Sequence, residues 1–124
     1  MSKEHEYVRE FQGKAVEENE DLRALLQQKK YLERKLIEKQ EFETKLQQLY
    51  DQVDGTKNYQ ELLNGLSNCR ILLSEIFTRE GQAKRHPVQS DQIELDWSKY
   101  GLDLAAYVTE HEQLLKSYEQ GMLD

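Results

Sequence analysis

The chain has 124 residues, 24 acidic and 17 basic, for a formal net charge of −7. Apolar residues make up 37% and charged residues 33%, with a single proline. This mix excludes a β-sandwich or barrel, which needs many turn residues between alternating β-branched strands. It also excludes disorder, because the apolar residues recur at helical intervals. The pattern is that of an all-α protein: a long coiled-coil helix, a helical hairpin and a shorter C-terminal helix.

The charge balance argues against direct nucleic-acid binding. Phosphate-binding domains show a basic face and a high pI, whereas the pI here is about 5.0. Residues 1–53 carry ten basic and twelve acidic side chains and residues 54–124 seven and twelve, so neither half is basic. The one dense basic run, from Lys29 and Lys30 through Arg34 and Lys35 to Lys39, is interleaved with Glu33, Glu38 and Glu41. It reads as a self-paired, solvated helix face. A lone cysteine, Cys69, points to a reducing compartment. No apolar run approaches a membrane span, and the charged N-terminus does not resemble a secretory signal. The expected address is intracellular.

The first helix spans about residues 1–53. Val8, Phe11, Ala15, Leu22, Leu25, Leu32, Leu36, Leu46, Tyr50 and Val53 share one heptad frame, interrupted by Glu18, Lys29, Lys39 and Glu43. Such interruptions disfavour an isolated homodimer, which would bury charges without partners. Leu26, Ile37, Phe42 and Leu49 widen the stripe toward contact with more than one helix. Gly13 is a weak point near the start.

Asp54-Gly55-Thr56-Lys57 breaks the helix, with Gly55 expected in the left-handed conformation. Asn58 and Glu61 form a capping-box-like start to a second helix over 58–79, so a hairpin is expected. Its seam of Tyr59, Leu62, Leu66, Cys69, Leu73 and Ile76 is continuous and must be buried. Residues 80–101 read as a loop, with Gly81, Pro87 and a short alternating stretch from Ile93 to Trp97. A third helix follows over 102–120, with Asp103 near its first turn, a stripe including Leu104, Tyr107, Val108, His111, Leu114, Leu115 and Tyr118, and Gly121 as its stop.

Chemistry is nearly absent from the pattern. His5, His86 and His111 match no metal-ligand spacing. There is no phosphate loop and no nucleophile elbow, and the carboxylates are spread along helix faces. No catalytic residue, cofactor or metal is expected. The expected partner-binding residues are Leu22, Leu25, Leu32, Leu36 and Leu46 on the first helix, Leu62, Leu66, Leu73 and Ile76 on the second, and Trp97, Tyr100 and Leu104 beyond it. Trp97 has two readings: a staple holding the third helix to its own chain, or an anchor entering a partner.

A coiled coil, then a leucine-rich helix, then Leu95-Asp96-Trp97 and a short acidic-apolar helix from Leu102 to Glu112 resembles the C-terminal part of centromere protein H. That family carries a glycine before the motif, where Glu94 stands here. The resemblance implies a non-enzymatic, nuclear inner-kinetochore scaffold, paired with a subunit resembling centromere protein K and docked on a helical-repeat protein. The expected partners are other coiled-coil subunits or, as the resemblance implies, helical-repeat subunits, in a hetero-oligomer rather than a homo-oligomer, with no direct nucleic acid and no membrane. The alternative is a cytoplasmic coiled-coil adaptor or tether in trafficking or cytoskeletal assembly.

Overall fold

The computed structural model describes the backbone from Ser2 to Leu123 and the side chains of residues 19–121. Three helices make up the fold: α1 (Ser2–Asp54), α2 (Tyr59–Arg85) and α3 (Trp97–Leu123). The described residues contain no strand, so the chain is all-α. The expectations placed on His5, Val8, Phe11, Gly13, Ala15 and Glu18 lie outside the described side chains.

The α1–α2 connection is tight, and it does not use Gly55 as expected. No glycine among the described residues takes a positive φ. Instead the Gly55 N–H donates to the Asp51 carbonyl at 2.9 Å, continuing the helical ladder. The Thr56 hydroxyl then closes the turn on the Val53 carbonyl at 2.7 Å. Asn58 caps α2 by accepting from the Glu61 N–H at 2.9 Å. Glu61 accepts in return from the Lys57 N–H, one residue earlier than in the usual capping box.

From this turn α2 runs back along α1, as Gln52–Asn68 and Lys45–Glu75 show. At Gly65 the two helices come close: a Cβ there would lie 3.0 Å from Val53 Cγ2. α3 reverses again and packs mainly on α2. Gly101 sits against Ile76 and Phe77, where a Cβ would come within 3.3 Å of both side chains, and Arg70 pairs with Glu112 at 2.9 Å. α3 is therefore parallel to α1 but stands off from it, and aromatic side chains fill the gap. Phe42 meets Trp97 edge-on with centroids 5.1 Å apart, and Tyr50 meets Tyr107 at 4.5 Å.

The core is a single cluster centred on Leu62, Leu66, Leu72, Ile76 and Leu104. Leu72 was absent from the expected seam, which placed Leu73 there. Leu73 is only partly buried, because contact with two neighbours turns the buried face of α2 away from a strict two-helix seam.

The expected loop over 80–101 is much shorter. α2 continues through Gly81 to Arg85, and α3 starts at Trp97, not at Leu102. A glycine costs a helix interior about 1 kcal/mol but does not stop it, whereas Pro87 excludes helical backbone for the residue before it. Lys84 and Arg85 in the last turn suit the negative helix end. Asp96 rather than Asp103 opens α3: its carboxylate accepts from the Lys99 N–H and its carbonyl from the Tyr100 N–H, both at 3.2 Å. Gly121 does not end α3, which runs to Leu123. Ile93 to Asp96 is irregular rather than extended strand.

Candidate protein-docking face

α1 has two faces that diverge along its length. One packs inward. Tyr31, Lys35, Glu38, Phe42, Leu46, Leu49 and Val53 recur at about 3.6 residues and face the α2–α3 layer or the connecting loop. The Tyr31 hydroxyl donates to the Ile93 carbonyl at 2.8 Å. Lys35 sits between Glu38 at 3.4 Å and Glu94 at 3.5 Å. Burial draws the Lys35 ammonium down, but the two carboxylates outweigh it and its pKa is raised. Glu94 is the centre of this lock: one oxygen also accepts from the Trp97 indole N–H at 3.2 Å and from the Leu95 N–H at 3.0 Å.

Trp97 closes the lock. It is 5% exposed, with Phe42 at its edge and the Arg79 guanidinium 5.7 Å from its ring centre. Tyr100, one turn on, donates to Glu43 at 2.8 Å. Burial, followed by this bond to a carboxylate, pushes its pKa up to about 12. At the other end, Tyr107 donates to Asp54 and stacks on His111, whose Nδ1 lies 2.8 Å from the Tyr107 carbonyl. Burial and the Asp54 carboxylate raise the Tyr107 pKa as well. Burial raises the Cys69 thiol too, which keeps it protonated inside the core.

Among the described residues, no helix packs over the other face of α1. Leu22, Leu25, Leu32 and Leu36 lie about 120° round the axis from the inward face. All four are exposed, Leu25 by 63% and Leu36 by 54%. Leu26 and Ile37 extend the exposed surface to one side. At its C-terminal end the track opens into a groove of about 480 Å³ between α1 and the start of α3, which shares Leu32 and Leu36 with the track. Among the described residues, no three His, Cys, Asp or Glu side chains converge on a common point. Among the described residues, no helix is long and apolar enough to cross a membrane.

The expected partner-binding residues therefore separate into three groups. Leu46, Leu62, Leu66, Ile76, Trp97 and Leu104 are buried within their own chain, so they cannot meet a partner without unfolding. Leu73 and Tyr100 are half-buried packing residues. Leu22, Leu25, Leu32 and Leu36 remain outside. Sequence reasoning missed Glu94, Tyr31 and Lys35 as the clasp of the loop. The available signal was a polar set at 3.6-residue spacing on α1 opposite the apolar seam.

No protein-family model and no solved structure matches the chain. The chain is 39% identical over 121 residues to ADA histone acetyltransferase complex component 2 of Saccharomyces cerevisiae, covering 96% of this chain and 94% of that protein. This end-to-end likeness overturns the resemblance to centromere protein H. In the fold, Leu95-Asp96-Trp97 is a buried residue, a helix cap and a second buried residue, an arrangement open to any helical protein. With that resemblance go the inner-kinetochore role, the partner resembling centromere protein K and the centromeric address. The trafficking or cytoskeletal alternative finds no support either. The chain belongs to the family of ADA histone acetyltransferase complex component 2.

Proposed function

We propose that this chain is a non-catalytic subunit of a nuclear histone acetyltransferase complex, held there through the exposed face of α1. The observation that carries this reading is the division of α1. Its C-terminal half is spent on the chain's own core, while Leu22 to Leu36 display an apolar track that no described residue covers. Exposed apolar stripes of this kind mark contact surfaces. The name of the yeast relative, a component of a histone acetyltransferase complex, supplies the setting, and a complex of that kind works in the nucleus. A subunit role also fits the scattered carboxylates and the inert, buried Cys69, which offer no paired acid and base.

The test is isolation of the tagged full-length chain from nuclei of its own cells, followed by a histone acetylation assay. Acetyltransferase activity should accompany the chain, and the chain purified alone should have none. Isolation without that activity, or activity from the lone chain, would overturn the reading.

A further inference from the structure

We infer that residues 19–30 of α1 open as an arm of their own, and that the grip of Tyr31 and Lys35 on the loop before α3 is the stop that keeps this opening from reaching Phe42. The inference concerns the chain by itself and does not depend on the subunit role.

The helix changes its means of support at Tyr31. Every residue from Asn19 to Lys30 is exposed, and Leu22, Leu25 and Leu26 are each more than half exposed. The ion pair of this stretch among the described residues is Lys29–Glu33 at 3.9 Å, which lies within the helix and has both side chains more than half exposed. A helix takes most of its stability from tertiary packing of its apolar face, and one of this length without packing is marginal in water. Good helix formers such as Arg23, Ala24 and Gln27 bring the backbone near break-even without securing it.

From Tyr31 onward each turn is held from outside. The Tyr31 hydroxyl donates to the Ile93 carbonyl at 2.8 Å, and Lys35 meets Glu94 at 3.5 Å. Glu38 then lies 3.9 Å from Arg79, and Phe42 packs on Trp97. The first two contacts hold because the loop is itself fixed at its far end, where Glu94 accepts from the indole N–H of the buried Trp97 at 3.2 Å. Local opening ends where turns without outside contacts meet turns that have them. Opening beyond Lys35 would release Ile93 and Glu94 together, so the two contacts act as one stop. The division also cuts the leucine track. Leu22, Leu25 and Leu26 ride on the arm, whereas Leu32 and Leu36 stay on the held part of the helix.

The test is hydrogen exchange read by mass spectrometry on the dilute full-length chain. A helical N–H donates four residues back, so the amides of residues 23–34 report on an arm spanning 19–30. Relative to their intrinsic rates, these amides should exchange at least about a hundredfold faster than those of residues 46–53; a smaller ratio would overturn the arm. In Y31F/K35M, exchange over residues 35–41 should quicken by at least about tenfold, while the amides from Leu62 to Ile76 keep their rates. Y31F alone removes only a hydroxyl, and it should move the boundary the same way even where the double variant loosens the core. A boundary that stays at Tyr31 in both variants would overturn the stop. In the native assembly, where the leucine track is the proposed contact face, the amides of residues 23–34 should slow by at least about tenfold. An arm as fast there as in the isolated chain would remove that contact role and leave this inference standing.

Discussion

The two ends of α1 use the same heptad frame and meet different fates. Val53 and Leu46 lie under α2 and α3, whereas Leu25 and Leu36, at equivalent places, stand in solvent. The difference is one of length and of period. α2 has 27 residues against 53 in α1, so its return path covers only the C-terminal part. A straight helix also drifts by about 20° per heptad against a 3.5-residue frame. The contact face therefore moves from Leu46 and Val53 onto Phe42, Glu38, Lys35 and Tyr31, and the heptad seam is left outside. An apolar stripe states that something must cover it; the lengths and angles of the neighbours decide what.

The comparison breaks most sharply in the core. Leu66 is fully buried, and a carboxylate placed there finds no cation. L66D should cost about 3–5 kcal/mol and abolish the cooperative loss of helicity in circular dichroism. A stable, cooperatively melting L66D chain would mean that the buried face of α2 is misplaced. Trp97 comes next. The isolated chain should emit at blue-shifted wavelengths, and W97A should cost about 3–5 kcal/mol as the Glu94–Lys35–Tyr31 clasp loses its lid. Emission typical of a solvated indole would contradict the staple.

Two glycines within α2 sharpen the contrast between packed and open surface. Alanine gains about 1 kcal/mol over glycine in a helix interior. At Gly65 the new methyl meets Val53 at 3.0 Å, and overpacking costs about 1–3 kcal/mol, so G65A should lose about 1 kcal/mol net. At Gly81 the only close group is the mobile end of Arg85 at 3.7 Å, and G81A should gain up to about 1 kcal/mol. Urea midpoints that move the same way for both would show that Gly65 is not a close contact.

Tyr100 gives the pH counterpart. Its folded pKa is raised to about 12 from an ordinary value of 10.0. The neutral hydroxyl is therefore the form that folding favours. Its contribution is complete below about pH 10 and is lost as pH rises toward about 12. Y100F should flatten that part of the alkaline stability profile; an unchanged profile would dismiss the Glu43 bond as its source.

Much of the fold was legible in the sequence for local reasons. The hairpin follows from the break at Asp54 to Lys57 and the cap at Asn58, and the dense α2 seam demanded burial. The boundaries of the last loop were not legible, because Gly81 looked like punctuation and Trp97 looked like a loop anchor. Only the tertiary contact of Gly101 with Ile76 and the cap at Asp96 show that the helix begins at Trp97. The candidate face was half legible. The seam listed leucines without distinguishing those that α2 and α3 cover from those they leave bare, since that depends on a parallel α1–α3 pairing filled by aromatic rings. The short Trp motif misled for the same reason: it reports a helix start, which is shared by unrelated folds.

The smallest effect on folding belongs to the exposed track. Leucine and glutamine have nearly equal helix propensities, so L25Q/L36Q removes apolar surface without penalising the helix. Both side chains are more than half exposed, and neither belongs to the core cluster. The melting curve of the isolated chain should therefore shift by no more than about 0.5 kcal/mol, against several for L66D in the core. The same double substitution removes two of the four leucines along the track, so its effect should be read in assembly rather than in folding. Co-isolation with the acetyltransferase activity should fall while the isolated variant stays as stable as its parent. A large loss of stability would place these leucines in a fold not described by this arrangement. Full stability with full assembly would leave the track a solvated helix face, and the division of α1 would then say nothing about partners.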